Sequence, residues 1–422
     1  MMEPSLRSEI TLIGKKAKLA SYDLALLSDK DKNDALKESA KNIGDKTQEI
    51  LEANEIDVSL AKEKNLNDAL IDRLILNEER IKSISNGILQ IAELENPVGK
   101  ILSSWSRPNG LSIEKVSVPL GVIGVIYESR PNVSADAAAL CLKSGNATIL
   151  RGGSESFNSS SILIQIINES YKKFGLPEGS LQNIPTRNRD AVGFLLKMDE
   201  YIDVFVPRGG RSLIERVINE STVPVFRHLD GICHTYVHKS SKSKIASKVV
   251  HNAKMRRPGI CGATETLLID KDIINSHLPE IIKLLRESNC SIIGDKEILK
   301  FDDSFILATE KDWSKEYLDS IISIKTISHG VEEAINHINK FGSGHTDSII
   351  CEDRDAIELF LNKVDSGIVM HNTSTQFADG GEFGMGAEIG ISTSKLHARG
   401  PVGVSQLTSF KYKVRGNGQI RP

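Results

Sequence analysis

The sequence is poor in cysteine, and none of its cysteines belongs to a CxxC pair. The five cysteines are an odd number and lie far apart in the chain, at Cys141, Cys233, Cys261, Cys290 and Cys351. Such scattered thiols argue against a disulfide framework and against a zinc ribbon, and they fit a protein whose thiols stay reduced inside the cell. We therefore expect a cytoplasmic protein without a bound structural metal.

The sequence also lacks a long apolar run and an excess of charge of one sign. Its longest apolar stretch, Val116–Tyr127, is interrupted by Pro119 and two glycines and is too short to cross a bilayer. The N-terminus, Met-Met-Glu-Pro-Ser-Leu-Arg-Ser-Glu, has no apolar region of the kind found in signal peptides. The 53 basic and 56 acidic side chains give a net charge of −3, which argues against binding to a phosphate backbone. Neither a membrane nor a nucleic acid is an expected partner.

Length and composition indicate a folded protein of two or three domains. The chain has 422 residues, of which 40% are hydrophobic and 26% are charged, and one domain usually takes about 100–200 residues. This balance excludes a disordered or fibrous chain. Residues up to about 105 predict helices, since Leu66–Ile81 spaces its apolar residues three and four apart and Ser28–Asp45 has the charge pattern of a solvated helical face.

Beyond residue 105, predicted strands alternate with predicted helices. We expect strands at Val116–Tyr127, Ala147–Arg151, Tyr201–Val206, Val223–Phe226, Cys233–Val237, Thr264–Ile269 and Ser405–Val414, and helices at Asn132–Lys143, Ser159–Phe174, Gly209–Ile218 and Ser241–Ala253. This alternation is typical of βαβ units around a mostly parallel sheet. A break near Arg227–Gly231 separates two such series, so the sequence predicts two α/β domains with a helical N-terminal layer and a C-terminal tail.

Cys261 is the strongest candidate for a catalytic side chain. It lies between a predicted helix and a predicted strand, in a Pro-Gly-Ile-Cys-Gly turn that can present a thiol from rigid backbone. Arg256 and Arg257 would favour the thiolate, which is the nucleophile, if they lie near it. The alternative is a buried structural cysteine, which is what we expect of the other four.

Two further features suggest a dinucleotide site, although no GxGxxG motif follows the first strand. Arg151 stands at the carboxyl end of a predicted strand, where ligands of open α/β sheets collect. Gly209 and Gly210 begin a predicted helix and would offer free backbone N–H groups to an anion. Ordinary tight turns would explain either feature equally well.

Several long blocks of the sequence resemble the γ-glutamyl phosphate reductases, which are glutamate-5-semialdehyde dehydrogenases of the aldehyde dehydrogenase superfamily. The blocks follow the family's order over essentially the whole chain, at Leu66–Glu79, Val118–Asn132, Ala147–Glu155, Val206–Gly210, Asn252–Cys261, Asp379–Gly384 and His397–Gly403. The resemblance implies an aldehyde-dehydrogenase-like α/β fold, with a Rossmann-type cofactor domain, an α/β catalytic domain and a small β oligomerisation element.

The resemblance implies a role for six residues at the cofactor. Arg151 replaces a lysine that holds the adenosine ribose in the superfamily, and its planar fork suits a 2′-phosphate, which favours NADPH over NADH. Glu316 falls at the glutamate that binds the nicotinamide ribose, although by itself it would pass for a surface helix residue. The remaining positions expected at the cofactor are Glu128, Ser129, Gly209 and Gly210.

The resemblance makes Cys261 the catalytic nucleophile. His228 falls where hydrolytic members carry a glutamate base that activates water, a change that fits phosphate as the acceptor. Arg130 aligns with the asparagine that donates to the oxyanion, with Asn132 two places on, so either residue is a candidate donor. The Cys261 backbone N–H is a further candidate.

The charged substrate requires further polar residues. Arg256, Arg257 and Arg399 are candidates to bind it, with structural salt bridges as the alternative, and His371 lies in a loop that the family places near the substrate. The implied reaction is the NADPH-dependent reduction of L-γ-glutamyl 5-phosphate to L-glutamate 5-semialdehyde through a cysteine thioester, with release of phosphate, on the route from glutamate to proline. Because no kinase module is apparent, we expect a separate glutamate 5-kinase to supply the acyl phosphate.

The resemblance also implies a division of the chain. Residues 1–110 and 119–228 are expected to bind NADP, and residues 229–395 to form the catalytic domain. Residues 111–118 and 402–415 are expected to form oligomerisation strands, and pairing with a second copy would cover their open edge in a homodimer or a dimer-based oligomer. Two rivals remain, namely a hydrolytic aldehyde dehydrogenase that uses His228 as its base, and a catalytically silent scaffold or nucleotide sensor.

Overall fold

Two compact units make up this chain in a computed structural model that describes residues 4–227 and 230–421, apart from the side chains at 68 and 69. The first unit comprises Met1–Arg227, Gly384–Gly390 and Val402–Pro422, and the second comprises His228–Phe383 and Ile391–Pro401. Residues 384–390 of the first unit thus lie in sequence between the two segments of the second unit, and residues 402–421 follow its last segment. Assigning the cofactor to one unit and the chemistry to the other stays a prediction.

The described residues form thirteen α-helices and five short 3-10 helices. The α-helices are α1 (Pro4–Leu24), α2 (Asp29–Asp45), α3 (Thr47–Glu63), α4 (Asp68–Leu74), α5 (Glu78–Glu93), α6 (Asn132–Lys143), α7 (Phe157–Lys173), α8 (Asp190–Leu195), α9 (Arg211–Glu220), α10 (Ser243–Met255), α11 (Ile274–Glu287), α12 (Val331–Phe341) and α13 (Arg354–Lys363). The 3-10 helices are Ser154–Ser156, Lys271–Ile273, Ile298–Phe301, Glu310–Ser314 and Thr375–Phe377. None of these helices is both long and apolar enough to span a membrane.

The described strands number sixteen. They are β1 (Ile101–Ser106), β2 (Ser112–Pro119), β3 (Val122–Tyr127), β4 (Ala147–Arg151), β5 (Leu181–Asn183), β6 (Val204–Arg208), β7 (Cys233–Val237), β8 (Thr264–Asp270), β9 (Ser291–Gly294), β10 (Ile306–Leu307), β11 (Ile321–Ile327), β12 (Thr346–Ile350), β13 (Ile368–His371), β14 (Ile391–Ser392), β15 (Gly400–Pro401) and β16 (Thr408–Arg415).

Two predicted elements are each divided in the structure. The periodic stretch Leu66–Ile81 contains two helices, because the Asn77 side chain accepts a hydrogen bond from the Arg80 N–H at 2.8 Å and caps a new helix, α5. The predicted strand Val116–Tyr127 is also wrong as a single strand. Its two halves, β2 and β3, belong to different sheets, and they separate at Gly121, whose φ of +127° favours glycine.

The first unit contains a parallel sheet of order β5-β4-β3-β6 and an antiparallel sheet of order β1-β2-β16. Within this unit, helix α1 closely approaches the segment after α8 at Gly14, where an added Cβ would lie 2.6 Å from the Met198 side chain. The predicted strand Val223–Phe226 is reduced to one bridge between Val225 and Phe205. The parallel sheet brings the carboxyl ends of β3, β4 and β6 to one edge.

The second unit is built on a seven-stranded parallel sheet of order β10-β9-β11-β8-β7-β12-β13. Its two faces carry separate hydrophobic clusters, since Leu267 and Ile269 of β8 pack with helices α10 and α11 whereas Leu268 between them packs with α12 and α13. Burial on both faces explains why these strands are continuously apolar. The loops that precede β7, β8, β11 and β12 therefore meet at the amino edge of this sheet.

Candidate active site

Cys261 lies where the sequence predicts it, in a turn between α10 and β8 at the amino edge of the second unit's sheet. All five cysteines are among the described residues and none is in a disulfide; Cys261 is partly exposed and the other four are buried. Burial raises the pKa of the Cys141 thiol to about 12 and that of the Cys290 thiol to about 11. Solvent access thus distinguishes Cys261 from the thiols that burial keeps protonated.

Gly231 lies directly against the backbone of Cys261. A Cβ added at Gly231 would fall 2.2 Å from the Cys261 carbonyl oxygen and 2.6 Å from its Cα. The thiol of Cys233, two residues further on, donates to the same carbonyl oxygen at 3.1 Å. The segment before β7 therefore packs directly against residues 258–262, the turn of the predicted nucleophile (the nucleophile turn), and only a glycine allows that approach.

Glu316 also contacts the segment before β7, through a hydrogen bond from Gly231. The Gly231 N–H donates to Glu316 Oε1 at 2.8 Å, and the neighbouring Ile232 N–H donates to Ser343 Oγ at 2.9 Å. Glu316 precedes β11 and Ser343 precedes β12, so both lie at the amino edge of the sheet together with Cys261. The structure thus brings Glu316 and Cys261 together through Gly231.

Two of the arginines proposed for the substrate follow the end of α10. Arg256 and Arg257 are both exposed, and Arg256 Nη1 lies 3.5 Å from Gln376 Oε1. The Gln376 amide also donates to the Ala253 carbonyl oxygen at 2.9 Å, so it ties the loop after β13 to the end of α10. Both arginines are therefore accessible to an anionic group near the nucleophile turn.

His371 is not brought to Cys261. It ends β13 and is level in register with Ile349, Tyr236 and Leu268 on the neighbouring parallel strands, whereas Cys261 precedes β8 altogether. Its Nε2 lies 2.8 Å from the Cys351 carbonyl oxygen, at the carboxyl edge of the sheet. The chain returns to the amino edge only at Thr375, whose hydroxyl lies 3.0 Å from that of Thr264.

Arg399 is held in a salt bridge, which is the alternative that the sequence left open. Its Nη1 donates to Asp365 Oδ1 at 2.7 Å, and its Nη2 donates to the Asp365 carbonyl oxygen at 2.6 Å. Hydrogen bonds from Lys395 and Arg399 lower the pKa of Asp365. His228, also predicted at the substrate site, lies outside the described residues.

In the first unit, Arg151 ends β4 as predicted and is 7% exposed. Its Nη1 donates to the Gly152 carbonyl oxygen at 2.6 Å, and its Nε is buried without a hydrogen-bond partner among the described residues. Burial lowers the pKa of the guanidinium, and so do the charges of Arg189 and Arg216, while Glu155 opposes them. A buried arginine with two cationic neighbours is an environment that favours an anion.

The start of α9 is already capped by a carboxylate. The Gly210 N–H donates to Glu128 Oε2 at 2.9 Å, and a Cβ at Gly209 would come within 2.6 Å of the same oxygen. Ser129, which follows Glu128 in the sequence, has a φ of +44°. Its N–H and Oγ both donate to Glu155 Oε1, at 2.9 and 2.8 Å. These four predicted cofactor residues thus occupy one edge of the parallel sheet.

The two side chains that are candidate oxyanion donors belong to residues at the start of α6. Asn132 begins that helix, and its amide donates to Asp136 Oδ2 at 3.0 Å. Burial raises the pKa of Asp136 to about 6, whereas the Asn132 hydrogen bond and the charge of Arg208 act in the opposite direction. Arg130 is half-buried and precedes α6 by two residues, and its carbonyl oxygen accepts from the Val133 N–H at 3.1 Å.

Sequence reasoning missed the residues that support the site. Gly231, Ser343, Arg189 and Arg216 carry no motif of their own, and only the Arg-Asn-Arg run at 187–189 gave a local sign of an anion site. Among the described residues, no group of three or more His, Cys, Asp or Glu side chains is arranged to hold a metal ion.

The chain is similar to aldehyde dehydrogenases throughout most of its length. Residues 7–296 match the profile of the aldehyde dehydrogenase family. The γ-glutamyl phosphate reductase of Paramagnetospirillum magneticum is 53% identical over 422 residues, which is 100% of both chains. The reductase of the same name from Rhodospirillum rubrum is 55% identical over 410 residues, covering 97% of this chain and 96% of the relative.

Solved structures show the same relationship. The crystal structure of γ-glutamyl phosphate reductase from Thermotoga maritima matches with a TM-score of 0.96 at 42% identity, covering 98% of this chain and 100% of that chain. The expected α/β fold of the aldehyde dehydrogenase type is thereby confirmed.

Proposed function

The chain belongs to the aldehyde dehydrogenase family and, within it, to the γ-glutamyl phosphate reductases, and on this basis we propose that it reduces L-γ-glutamyl 5-phosphate to L-glutamate 5-semialdehyde. The reaction releases phosphate and belongs to the synthesis of proline from glutamate. The observation that carries the proposal is Cys261, the one partly exposed thiol among five fully described cysteines, held on a turn at the amino edge of the sheet.

In this proposal Cys261 is the nucleophile. Its thiolate attacks the acyl carbon of the substrate, a C–S bond forms, and the C–O bond to phosphate breaks with its electron pair leaving on phosphate. The Cys261 backbone N–H, Asn132 and Arg130 are candidates to stabilise the oxyanion that develops. Phosphate is a good leaving group in the reductive direction. In the reverse direction phosphate attacks the thioester as an anion and needs little deprotonation, so no carboxylate base is required at position 228.

Family membership implies a nicotinamide cofactor, and we further propose that it is NADPH. The buried Arg151 fits a 2′-phosphate, since its Nε lacks a hydrogen-bond partner among the described residues and Arg189 and Arg216 add positive charge. When bound, NADPH would supply the hydride that reduces the thioester. Arg151 would hold its 2′-phosphate, Glu128, Ser129, Gly209 and Gly210 would line its path, and Glu316 would bind the nicotinamide ribose.

We propose Arg256 and Arg257 as the residues that bind the substrate's charged groups, since both are exposed beside the nucleophile turn. Arg399 is a weaker candidate because Asp365 already neutralises it. His371 lies at the opposite edge of the same sheet, so we assign it no contact with the substrate.

The final step is collapse of the thiohemiacetal on Cys261. In this step the C–S bond breaks and its electron pair returns to the Cys261 sulfur, which releases the aldehyde.

The proposal extends to partners and location. A second copy of the chain would pair with the exposed sheet β1-β2-β16, giving a homodimer or a dimer-based oligomer. A separate glutamate 5-kinase would supply the unstable acyl phosphate. We place the reaction in the cytoplasm, where a thiol nucleophile stays reduced.

The test is the reverse reaction of the purified protein. We expect glutamate 5-semialdehyde to reduce NADP⁺ beyond a single equivalent per Cys261 only when phosphate is present, and Cys261→Ser to abolish the reaction. Reduction at the same rate without phosphate would show that water is the acceptor and would favour the hydrolytic alternative based on His228. A Cys261→Ala protein that retains its biological role would instead favour a silent scaffold or sensor.

A further inference from the structure

Lys254 and Glu265 form an ion pair that is fully shielded from solvent in the second unit. Lys254 lies in the last turn of α10 and Glu265 is the second residue of β8, and both side chains are 0% exposed. The loop that joins these two elements carries Cys261. Because breaking a buried pair leaves an uncompensated charge, the pair holds the two ends of the nucleophile loop together.

The Glu265 carboxylate also holds the segment that carries Glu316. The Leu318 N–H donates to Glu265 Oε1 at 3.2 Å. Leu318 has a φ of +54°, a left-handed conformation that is strained for a leucine and needs support from its surroundings. The carboxylate therefore stabilises the turn that directs Glu316 toward the Gly231 N–H.

These contacts form a continuous series that begins and ends at Glu265 and includes Cys261. Glu265 connects through Leu318 to Glu316, Glu316 accepts from Gly231, and Gly231 packs on the Cys261 backbone. From Cys261 the chain leads directly to β8 and back to Glu265. Displacing the carboxylate would consequently disturb Cys261 from one side and Glu316 from the other.

We propose that Lys254 and Glu265 are positioning residues, which fix Cys261 and Glu316 relative to each other without contacting the substrate. This inference rests on the function proposed above for Cys261 and Glu316. It differs from a purely structural role because it predicts effects on the reactivity of the thiol and on cofactor use that exceed any loss of stability.

Several titratable groups face Glu265. They are Lys254 from α10, Glu316 and Tyr317 from the segment before β11, Cys233 from β7 and Cys290 from the segment before β9. Burial raises the pKa of Glu265 to about 7, whereas Lys254 lowers it and Glu316 adds to the increase. Protonation below that pH converts the ion pair to a neutral acid beside a lysine, so the positioning effect should weaken as the pH falls.

Three variants of the full-length protein separate the roles. Glu265→Gln keeps an oxygen that can accept from the Leu318 N–H but removes the charge and the titration. The double variant Lys254→Met, Glu265→Leu replaces the pair by apolar side chains, a change that buried pairs often tolerate without loss of stability. Tyr236→Phe is the control, since it removes a buried 2.7 Å hydrogen bond to Asp270 from the carboxyl half of the same sheet.

The measurements are the melting temperature, kcat and the KM for NADPH, and the rate at which iodoacetamide alkylates Cys261 between pH 5 and 9, followed by peptide mass spectrometry. We expect the double variant to fold, with kcat at least about tenfold lower and KM for NADPH raised, since small misplacements of reacting groups have large effects. In the wild type, both kcat and the alkylation rate should show an inflection near the Glu265 pKa of about 7 that Glu265→Gln lacks. Tyr236→Phe should keep the wild-type profiles.

A folded double variant with wild-type kcat, KM and alkylation rate would overturn the inference. If the double variant does not fold, Glu265→Gln decides, and a pH profile identical to that of the wild type would equally overturn it. The alkylation rate needs no enzymatic turnover. A wild-type protein that lacks reductase activity yet shows the Glu265-dependent alkylation profile would therefore refute the proposed function and not the positioning pair.

Discussion

At position 231 any side chain would enter the space of the Cys261 carbonyl group. We expect Gly231→Ala to fold but to lose about 100-fold in kcat, because a displacement of the nucleophile by about 1 Å has an effect of that size. The added Cβ would lie 2.2 Å from the carbonyl oxygen, which forces the nucleophile turn to move. Steady-state kinetics with a melting curve check this prediction.

A matched control lies in the same turn. Gly259→Ala adds a Cβ whose nearest neighbour is the Leu318 carbonyl oxygen at 3.7 Å, an ordinary van der Waals contact. That variant should retain a kcat close to that of the wild type. Equal activity of the two variants would show that the approach of Gly231 to Cys261 has no catalytic importance.

Arg151 provides a residue-scale test of cofactor choice. We expect Arg151→Gln to weaken binding of NADP⁺ by about 10- to 100-fold, since hydrogen bonds to charged groups contribute about 1.5–3 kcal/mol, and to leave NAD⁺ binding nearly unchanged. Calorimetric titration of both nucleotides measures the difference, with the exposed Lys173→Gln on α7 as control. An equal loss for the two nucleotides would contradict a role at the 2′-phosphate.

Sequence reasoning reached the two residues to which we assign the main chemical roles, Cys261 and Arg151, but not the residues that contact them. Local patterns, namely a Pro-Gly turn and the end of a strand, made Cys261 and Arg151 candidates, and the family resemblance then implied their roles. The structure places both residues at sheet edges. Gly231 and Glu265 act through contacts with residues distant in sequence, which no local pattern contains. The resemblance implied that the loop of His371 lies near the substrate, but the parallel register leaves His371 itself at the carboxyl edge.

At the scale of secondary-structure elements, the three-stranded sheet β1-β2-β16 has two largely exposed outer strands. Every residue of β1 and six of the eight residues of β16 are exposed. One face carries Trp105 and Tyr412 in edge-to-face contact at 6.1 Å, with Phe410 5.7 Å from Tyr412, and Lys115 above the Phe410 ring at 3.7 Å. An apolar face on an open sheet is what a second subunit would cover.

Charges on that face should prevent association. We expect the double variant Tyr412→Asp, Val414→Asp to sediment as a monomer, because both side chains lie on the face that carries Trp105. Lys411→Asp alters the opposite face of the same strand and should leave the assembly unchanged. Sedimentation velocity distinguishes the two, and an oligomer of the double variant as stable as that of the wild type would contradict the assignment.

Element boundaries were predictable where a local signal ends the element. Helix α6 has the predicted bounds Asn132–Lys143, because Gly145 adopts a φ of +75° that terminates it. The break within Val116–Tyr127 was not predictable from periodicity, since both halves are apolar. It arises because β2 pairs with the distant β16 whereas β3 pairs with β4 and β6.

For the molecule as a whole, one buried histidine makes stability depend on pH. His337 is 5% exposed among Trp313, Phe341 and His234, and its Nε2 has no hydrogen-bond partner among the described residues. Burial lowers the pKa of His337 to about 3 from its usual 6.5, with a smaller contribution from the charge of His234. Between these pH values the unfolded chain binds a proton that the folded chain does not, so stability falls as the pH is lowered.

We expect His337→Phe to remove this acid dependence. The free energy of unfolding of the wild type, relative to the variant, should decrease by a few kcal/mol, or about 1.4 kcal/mol per pH unit, on going from pH 6.5 toward 3. Comparing urea unfolding of the two proteins cancels the opposite contribution of Glu265, whose raised pKa favours the folded state at acid pH. Parallel stability curves for the two proteins would contradict this assignment.

The most direct test of the central claim is to trap the acyl group on Cys261. The purified protein is mixed with glutamate 5-semialdehyde and NADP⁺ in phosphate-free buffer, quenched in acid and digested for peptide mass spectrometry. We predict that the peptide containing Cys261 gains the mass of one γ-glutamyl group in step with a single turnover of NADPH, and that added phosphate removes it. NADPH formation without acylation of that peptide, or acylation of a different residue, would contradict the account.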